Sequence, residues 1–147
     1  MRLNLFSYCL ISIVIICFPS VSSVASSLSQ EVARSHYQLQ CQGCHTSDGR
    51  GAMGVPPLQN FVGYFLNSPK GRAYLIQVPG SANATLTDQE LAEVINWMLY
   101  SYAGASLPKQ WDLYTQDEVA AYRKAPLTQV TSFRNELLQE IFTHRKN

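Results

Sequence analysis

Cys41-Gln42-Gly43-Cys44-His45 decides the reading of this chain. C-x-x-C-H is the attachment signature of a c-type haem. Two thiols three positions apart on one helical turn can each bond a vinyl group of the same porphyrin. A His directly after the second thiol sits where a ring nitrogen can bind the iron. The five residues therefore predict one covalent haem c per chain, tethered by Cys41 and Cys44, with His45 as the proximal iron ligand. Other readings of C-x-x-C lack their context. A thioredoxin-like redox pair needs a βαβ pattern around it, and none is present. Half a zinc site needs a second pair of ligands, which the chain beyond residue 25 does not supply.

The residues upstream agree with this chemistry. The chain has 147 residues and is 46% hydrophobic, enough for one domain. The stretch from Leu3 to Phe18 is almost wholly apolar, follows Arg2, and leads into the small residues Ser20 to Ser26. Residues 1–25 read as a secretory signal peptide cleaved after Ala25. An apolar run of about 16 residues is short for a membrane span, so no membrane insertion is expected after cleavage. Cys9 and Cys17 leave with the signal, and Cys41 and Cys44 are then the remaining cysteines. With both thiols spent on haem no disulfide can form, and the haem itself becomes the stabiliser that a small secreted domain needs. Haem c is attached outside the cytoplasm, so the expected location is the periplasm. Without Arg2, the 11 basic residues fall to ten and balance the ten acidic ones. No basic patch suggests nucleic acid, and no acidic tail suggests a docking arm.

Beyond the signal the pattern is helical. A helix is expected from Leu28 to Gln40, running directly into Cys41. Residues 46–57 hold three glycines and two prolines and read as a loop. Phe61–Leu66 and Gly71–Val78 read as short helical turns, and Pro79-Gly80 as a break. Thr87-Asp88-Gln89-Glu90 is a capping box. The helix it opens carries Leu91, Val94, Ile95, Met98 and Leu99 on one face, with Trp97 and Tyr102 adjoining, and should end near Gly104. A second box, Thr115 to Glu118, opens a helix to about Lys124 that Pro126 stops. Thr128 could cap a last helix with Val130, Phe133, Leu137 and Ile141 on one side.

This order resembles the small class I cytochrome c domain: helix, C-x-x-C-H, Gly-rich loop, Pro-x-Leu, short helices, then a capped helix with a central aromatic. The matching stretch runs from Leu28 to Tyr102. The resemblance implies an all-α fold around one covalently bound haem, with the first and last helices crossing at a haem edge. Asp48-Gly49-Arg50-Gly51 resembles the loop after the haem His. Pro56-Pro57-Leu58 resembles the Pro-x-Leu element, which would make Pro56, with Pro57 as the alternative, the residue whose carbonyl orients the His45 ring. Trp97 would be the aromatic at the haem. The family also places a Met, as sixth iron ligand, shortly before its last helix. Here that place reads Gln77-Val78-Pro79-Gly80, and Val78 cannot ligate iron. Met98 is the distal candidate, with core packing as its other reading. Met53 lies in the proximal loop, His36 reads as a helix-face histidine, and Tyr64, Tyr74 and Lys70 fall in the middle segment without one standing out.

The domain layout expected is a signal peptide over 1–25, a cytochrome c domain over 26–104 and a C-terminal helical extension over 105–147. In that extension Trp111, Tyr114, Tyr122 and Phe133 favour helices packed on the core over a docking surface. No Ser-His-Asp set, carboxylate pair or phosphate loop can be read, which argues against an enzyme. The expected function is a periplasmic one-electron carrier serving an unidentified dehydrogenase or oxidase. The alternatives are a haem protein with an open distal site that binds small ligands, and a subunit docked on a larger oxidoreductase.

Overall fold

A computed structural model describes residues 22–144, and every regular element in that range is helical. The signal-peptide reading falls for the most part on residues outside that range. The α-helices are α1 (Ser22–Gln40), α2 (Gln42–His45), α3 (Pro69–Gln77), α4 (Pro79–Ala82), α5 (Asp88–Tyr102), α6 (Gln116–Tyr122) and α7 (Val130–His144). Two 3₁₀ turns complete the set, Val62–Asn67 and Gly104–Ser106.

α1 and α5 form the central crossing. Among the described side chains Ala33 and Tyr37 of α1 are buried, as are Leu91, Ala92, Val94, Ile95, Met98 and Leu99 of α5. The Tyr37 ring is 5.1 Å from Trp97 and 5.4 Å from Tyr102, so the crossing is an aromatic cluster. α5 starts where the capping box predicts. The Thr87 side chain accepts the Glu90 N–H at 3.2 Å, and the Glu90 carboxylate accepts the Thr87 N–H at 2.8 Å.

Residues 105–144 share this core. Val119, Leu137 and Ile141 belong to the same apolar cluster as Phe65, Ile76 and Leu99. Two arginines fasten the segment. Arg72 on α3 makes a two-pronged pair with the Glu118 carboxylate (2.8 and 2.7 Å) and also donates to the Asp112 carbonyl. Its guanidinium lies 4.1 Å from the centre of the Tyr114 ring. Arg123 donates to the carbonyls of Ala82, Ala84 and Leu86 and to the Asp88 carboxylate.

Several boundaries differ from the sequence reading, among them α3, which runs Pro69–Gln77 rather than Gly71–Val78, and the first 3₁₀ turn, Val62–Asn67 rather than Phe61–Leu66. α1 begins at Ser22 rather than Leu28. The break read at Pro79-Gly80 is present as the extended Val78 that ends α3, and Pro79 then opens α4, because proline's fixed φ suits the first helical position. α6 ends at Tyr122, two residues short of Lys124. α7 begins at Val130, so Gln129 precedes it instead of Thr128, and the Gln129 carbonyl accepts from the Phe133 N–H and the Ser132 hydroxyl.

Candidate functional site

The site is built outward from α2, a single turn too short to stand alone. It is held by its neighbours. The Cys41 N–H donates to the Tyr37 carbonyl at the end of α1, and the His45 N–H donates to the Cys41 carbonyl at 3.0 Å. The loop that follows folds back onto the turn: Gly51 N–H donates to the His45 carbonyl and Ala52 N–H to the Cys44 carbonyl. Asp48 shapes this return, its carboxylate accepting from the Thr46 hydroxyl (2.6 Å) and the Arg50 N–H (3.1 Å). Gly49 has φ +74°, and a Cβ there would stand 2.8 Å from the Tyr102 ring. Glycine is therefore required by conformation and by space. Tyr102 in turn donates from its hydroxyl to the Ser47 carbonyl at 3.0 Å, which ties the loop to α5.

Cys41, Cys44 and His45 open together onto one apolar cavity of about 330 Å³. Its walls come from nearly the whole fold: Tyr37 and Gln40 of α1, Val55 to Leu58, Val62 and Phe65, Tyr74, Leu75 and Val78, Val94, Ile95 and Met98 of α5, and Val130 and Arg134 of α7. The volume lies within the range of about 300–1,000 Å³ usual for cofactor and small-molecule sites.

The donor chemistry is specific. Both thiols are free. Burial, with Cys44 close by, pushes the Cys41 thiol up to about 11. A catalytic dithiol shows the reverse, a thiolate held low by positive surroundings. Burial lowers the pKa of His45, opposed by the Pro56 carbonyl beside it. The ring is thus neutral, the form that binds a metal. Its Nδ1 is buried and has no hydrogen-bond partner within normal geometry, so Pro56 lies near the ring without closing a bond to it. Two free thiols and a neutral imidazole around an apolar slot fit a covalently tethered haem. Among the described residues no cluster of three or more His, Cys, Asp or Glu could hold a bare metal ion.

The other sequence candidates separate clearly. Pro56, Val78 and Met98 are on the cavity wall, and Met98 is 5% exposed. Trp97, expected at the cofactor, is not among the lining residues: it packs on Tyr37 and, edge to face, on Tyr102 at the helix crossing. The side chain after it, Met98, faces the cavity, because neighbours on a helix point about 100° apart. Met53 is 94% exposed at the loop tip. His36 faces Glu90 at 3.9 Å, and Lys70 pairs with Glu140 at 2.8 Å. Tyr64 packs on Phe61 and Phe142. Tyr74 does line the cavity, stacked on Phe65 at 4.8 Å, and burial raises its pKa, so it stays a neutral phenol. Nothing in the sequence singles out Tyr37, whose hydroxyl donates to the Thr46 carbonyl, or Val130 and Arg134 of the C-terminal helix as site residues.

The chain is similar to two curated proteins named Cytochrome c-552, both from Thermus thermophilus, the second from a particular strain of that species. Each is 34% identical over 119 residues, a match that takes in 67% of this chain and 91% and 80% of the two relatives. No family model and no solved structure matches the chain. No helix among the described residues is long and apolar enough to cross a membrane.

Proposed function

This chain belongs to the small monohaem class I c-type cytochromes, and on that premise we propose that it is an exported carrier of single electrons between a dehydrogenase or oxidase and another redox protein. The observation that carries the proposal is the meeting of two free thiols and a neutral imidazole on one apolar cavity. A haem held there supplies one-electron ferric–ferrous chemistry.

The chain's own residues would do the rest. Cys41 and Cys44 would fix the porphyrin to α2, and His45 would present a ring nitrogen to the iron. The Pro56 carbonyl would orient that ring from its Nδ1 side. The walls, from Leu58 and Val62 to Val94 and Ile95, would exclude water and leave little to reorganise when charge changes. Among the described residues Met98 is the one thioether lining the cavity, and it is the candidate for the sixth position. The alternative is an exchangeable sixth position that accepts small ligands, favoured by Val78 on the same wall. The apolar leader over residues 1–25 supports export to the periplasm.

The test is an absorption spectrum of the exported, haem-loaded protein, oxidised and reduced, with and without carbon monoxide. A low-spin iron in both states, unmoved by carbon monoxide, is the result expected of a carrier. A high-spin ferrous form that takes up carbon monoxide would replace the carrier reading with the ligand-binding one.

A further inference from the structure

The backbone takes an uncommon path directly after His45. Thr46 has φ 61° and ψ 167°. That region belongs almost wholly to glycine, and a β-branched residue stays in it only where its surroundings hold it there. The bonds around Thr46 do so. Its N–H donates to the Gln42 carbonyl at 2.8 Å, and its hydroxyl donates to the Asp48 carboxylate at 2.6 Å. Both partners are local. The Thr46 carbonyl has a partner from farther away: it accepts the Tyr37 hydroxyl of α1 at 2.9 Å.

The next carbonyl is held in the same manner. Ser47 accepts the Tyr102 hydroxyl of α5 at 3.0 Å. The two crossing helices thus set one phenol each on the two carbonyls that follow His45. The two rings are 5.4 Å apart, and Tyr37 is 1% exposed and packed on Trp97 as well. A donor on a ring locked in this way moves only if the crossing moves. Its bond matters most at Thr46, where the φ is unfavourable. A return of Thr46 to an ordinary negative φ would turn the peptide that joins it to His45, and with it the His45 Cα–Cβ bond.

We propose that Tyr37 is a positioning residue for the iron ligand: its hydroxyl, by holding the Thr46 carbonyl, fixes the direction in which the His45 ring enters the cavity. The proposal rests on the haem reading above. It links the α1–α5 crossing to the iron through one hydrogen bond and one strained residue, and it makes Tyr37 more than a packing aromatic.

The test uses the haem-loaded, full-length protein in its ferric cyanide form. Cyanide is symmetric about the iron axis, so the spread of the four haem-methyl proton signals reports the plane of the proximal imidazole. Y37F keeps the ring and removes the donor. The spread should change in Y37F. It should change less between T46G and T46G/Y37F, because glycine holds a positive φ unaided. Methyl signals unmoved in Y37F overturn the proposal even if the unfolding midpoint falls, and leave Tyr37 to packing. An equal change in the T46G background also overturns it, because Thr46 would not then be the link. In the wild type, independently of any variant, the Tyr37 hydroxyl proton should exchange slowly with water, and fast exchange overturns the proposal. A wild-type chain that carries no covalent haem would instead overturn the haem reading itself, so the two failures are distinct.

Discussion

Arg123 is the residue whose loss should say most about how the tail and the site are joined. Its guanidinium gathers three carbonyls, those of Ala82 (3.2 Å), Ala84 (2.7 Å) and Leu86 (2.9 Å), together with the Asp88 carboxylate (2.8 Å). These acceptors run from the last residue of α4 to the first of α5, a stretch that follows Val78, Gly80 and Ser81 of the cavity wall. In R123M the methionine fills part of the volume and none of the bonds. The exposed part of the ion pair is worth about 0–1 kcal/mol. Each hydrogen bond from a charged donor to a carbonyl is worth about 1.5 kcal/mol at the low end of its range. Water can reach some of these carbonyls, since Arg123 keeps 18% of its side-chain exposure, so the expected loss is about 3 kcal/mol rather than the full sum of about 5. At roughly 4 °C per kcal/mol for a chain of this size, Tm should fall by about 12 °C. The assay is guanidinium unfolding of the haem-loaded protein followed by far-ultraviolet circular dichroism, reading the midpoint at constant m. D88N is the control, which removes the ion pair, leaves the three carbonyl bonds and should cost under about 1 kcal/mol. A loss below about 1 kcal/mol in R123M, or equal losses in the two variants, would refute the claim that the carbonyl clamp holds the segment.

Three further outcomes are expected. Haem should stay on the wild-type chain through acidified-acetone extraction, and in C41S/C44S all of it should extract; haem retained by the double variant would refute the thioether assignment. M98L, a volume-conserving change costing under about 1.5 kcal/mol, should abolish the near-infrared thioether-to-iron band and open the iron to carbon monoxide; an unchanged spectrum would leave Met98 to core packing. The Glu90 carboxyl is held below its usual range by the Thr87 N–H and hydroxyl, so its contribution is present above the unfolded value near pH 4.3 and is lost as pH falls through the depressed one. E90Q should therefore flatten the acid limb of a stability–pH curve and leave its slope near neutrality unchanged.

What could be read from the sequence was local. C-x-x-C-H sits on one helical turn, and the Thr87 and Thr115 caps bond within three residues, as their spacing requires. The amphipathic face Val130, Phe133, Leu137 and Ile141 identifies α7 and its inward side, with Leu137 fully buried. What escaped was set by contacts across long separations. Arg72 meets Glu118 and Arg123 meets Asp88, pairs 46 and 35 residues apart that no periodicity announces. Trp97 is expected at the cofactor because it resembles the aromatic of the family's last helix, yet it is Met98, one position along, that lines the cavity. Arg134 is invisible for a related reason: a lone arginine beside an apolar stripe has the sequence pattern of a solvent face. Only the path of α7 over Phe61 makes it part of a wall.

The same wall explains why cofactor and fold should be inseparable here. The cavity of about 330 Å³ is open to water on one side, so a chain without haem leaves its apolar wall exposed, at roughly 25 cal/mol for each Å². The walls cannot relax one at a time, because they come from α1, α3, α5 and α7 and from the loop around Pro56. Collapse of the space would separate Tyr37 from Trp97 at one crossing and Tyr74 from Phe133 at the other. The haem therefore acts as a core residue as well as a redox centre.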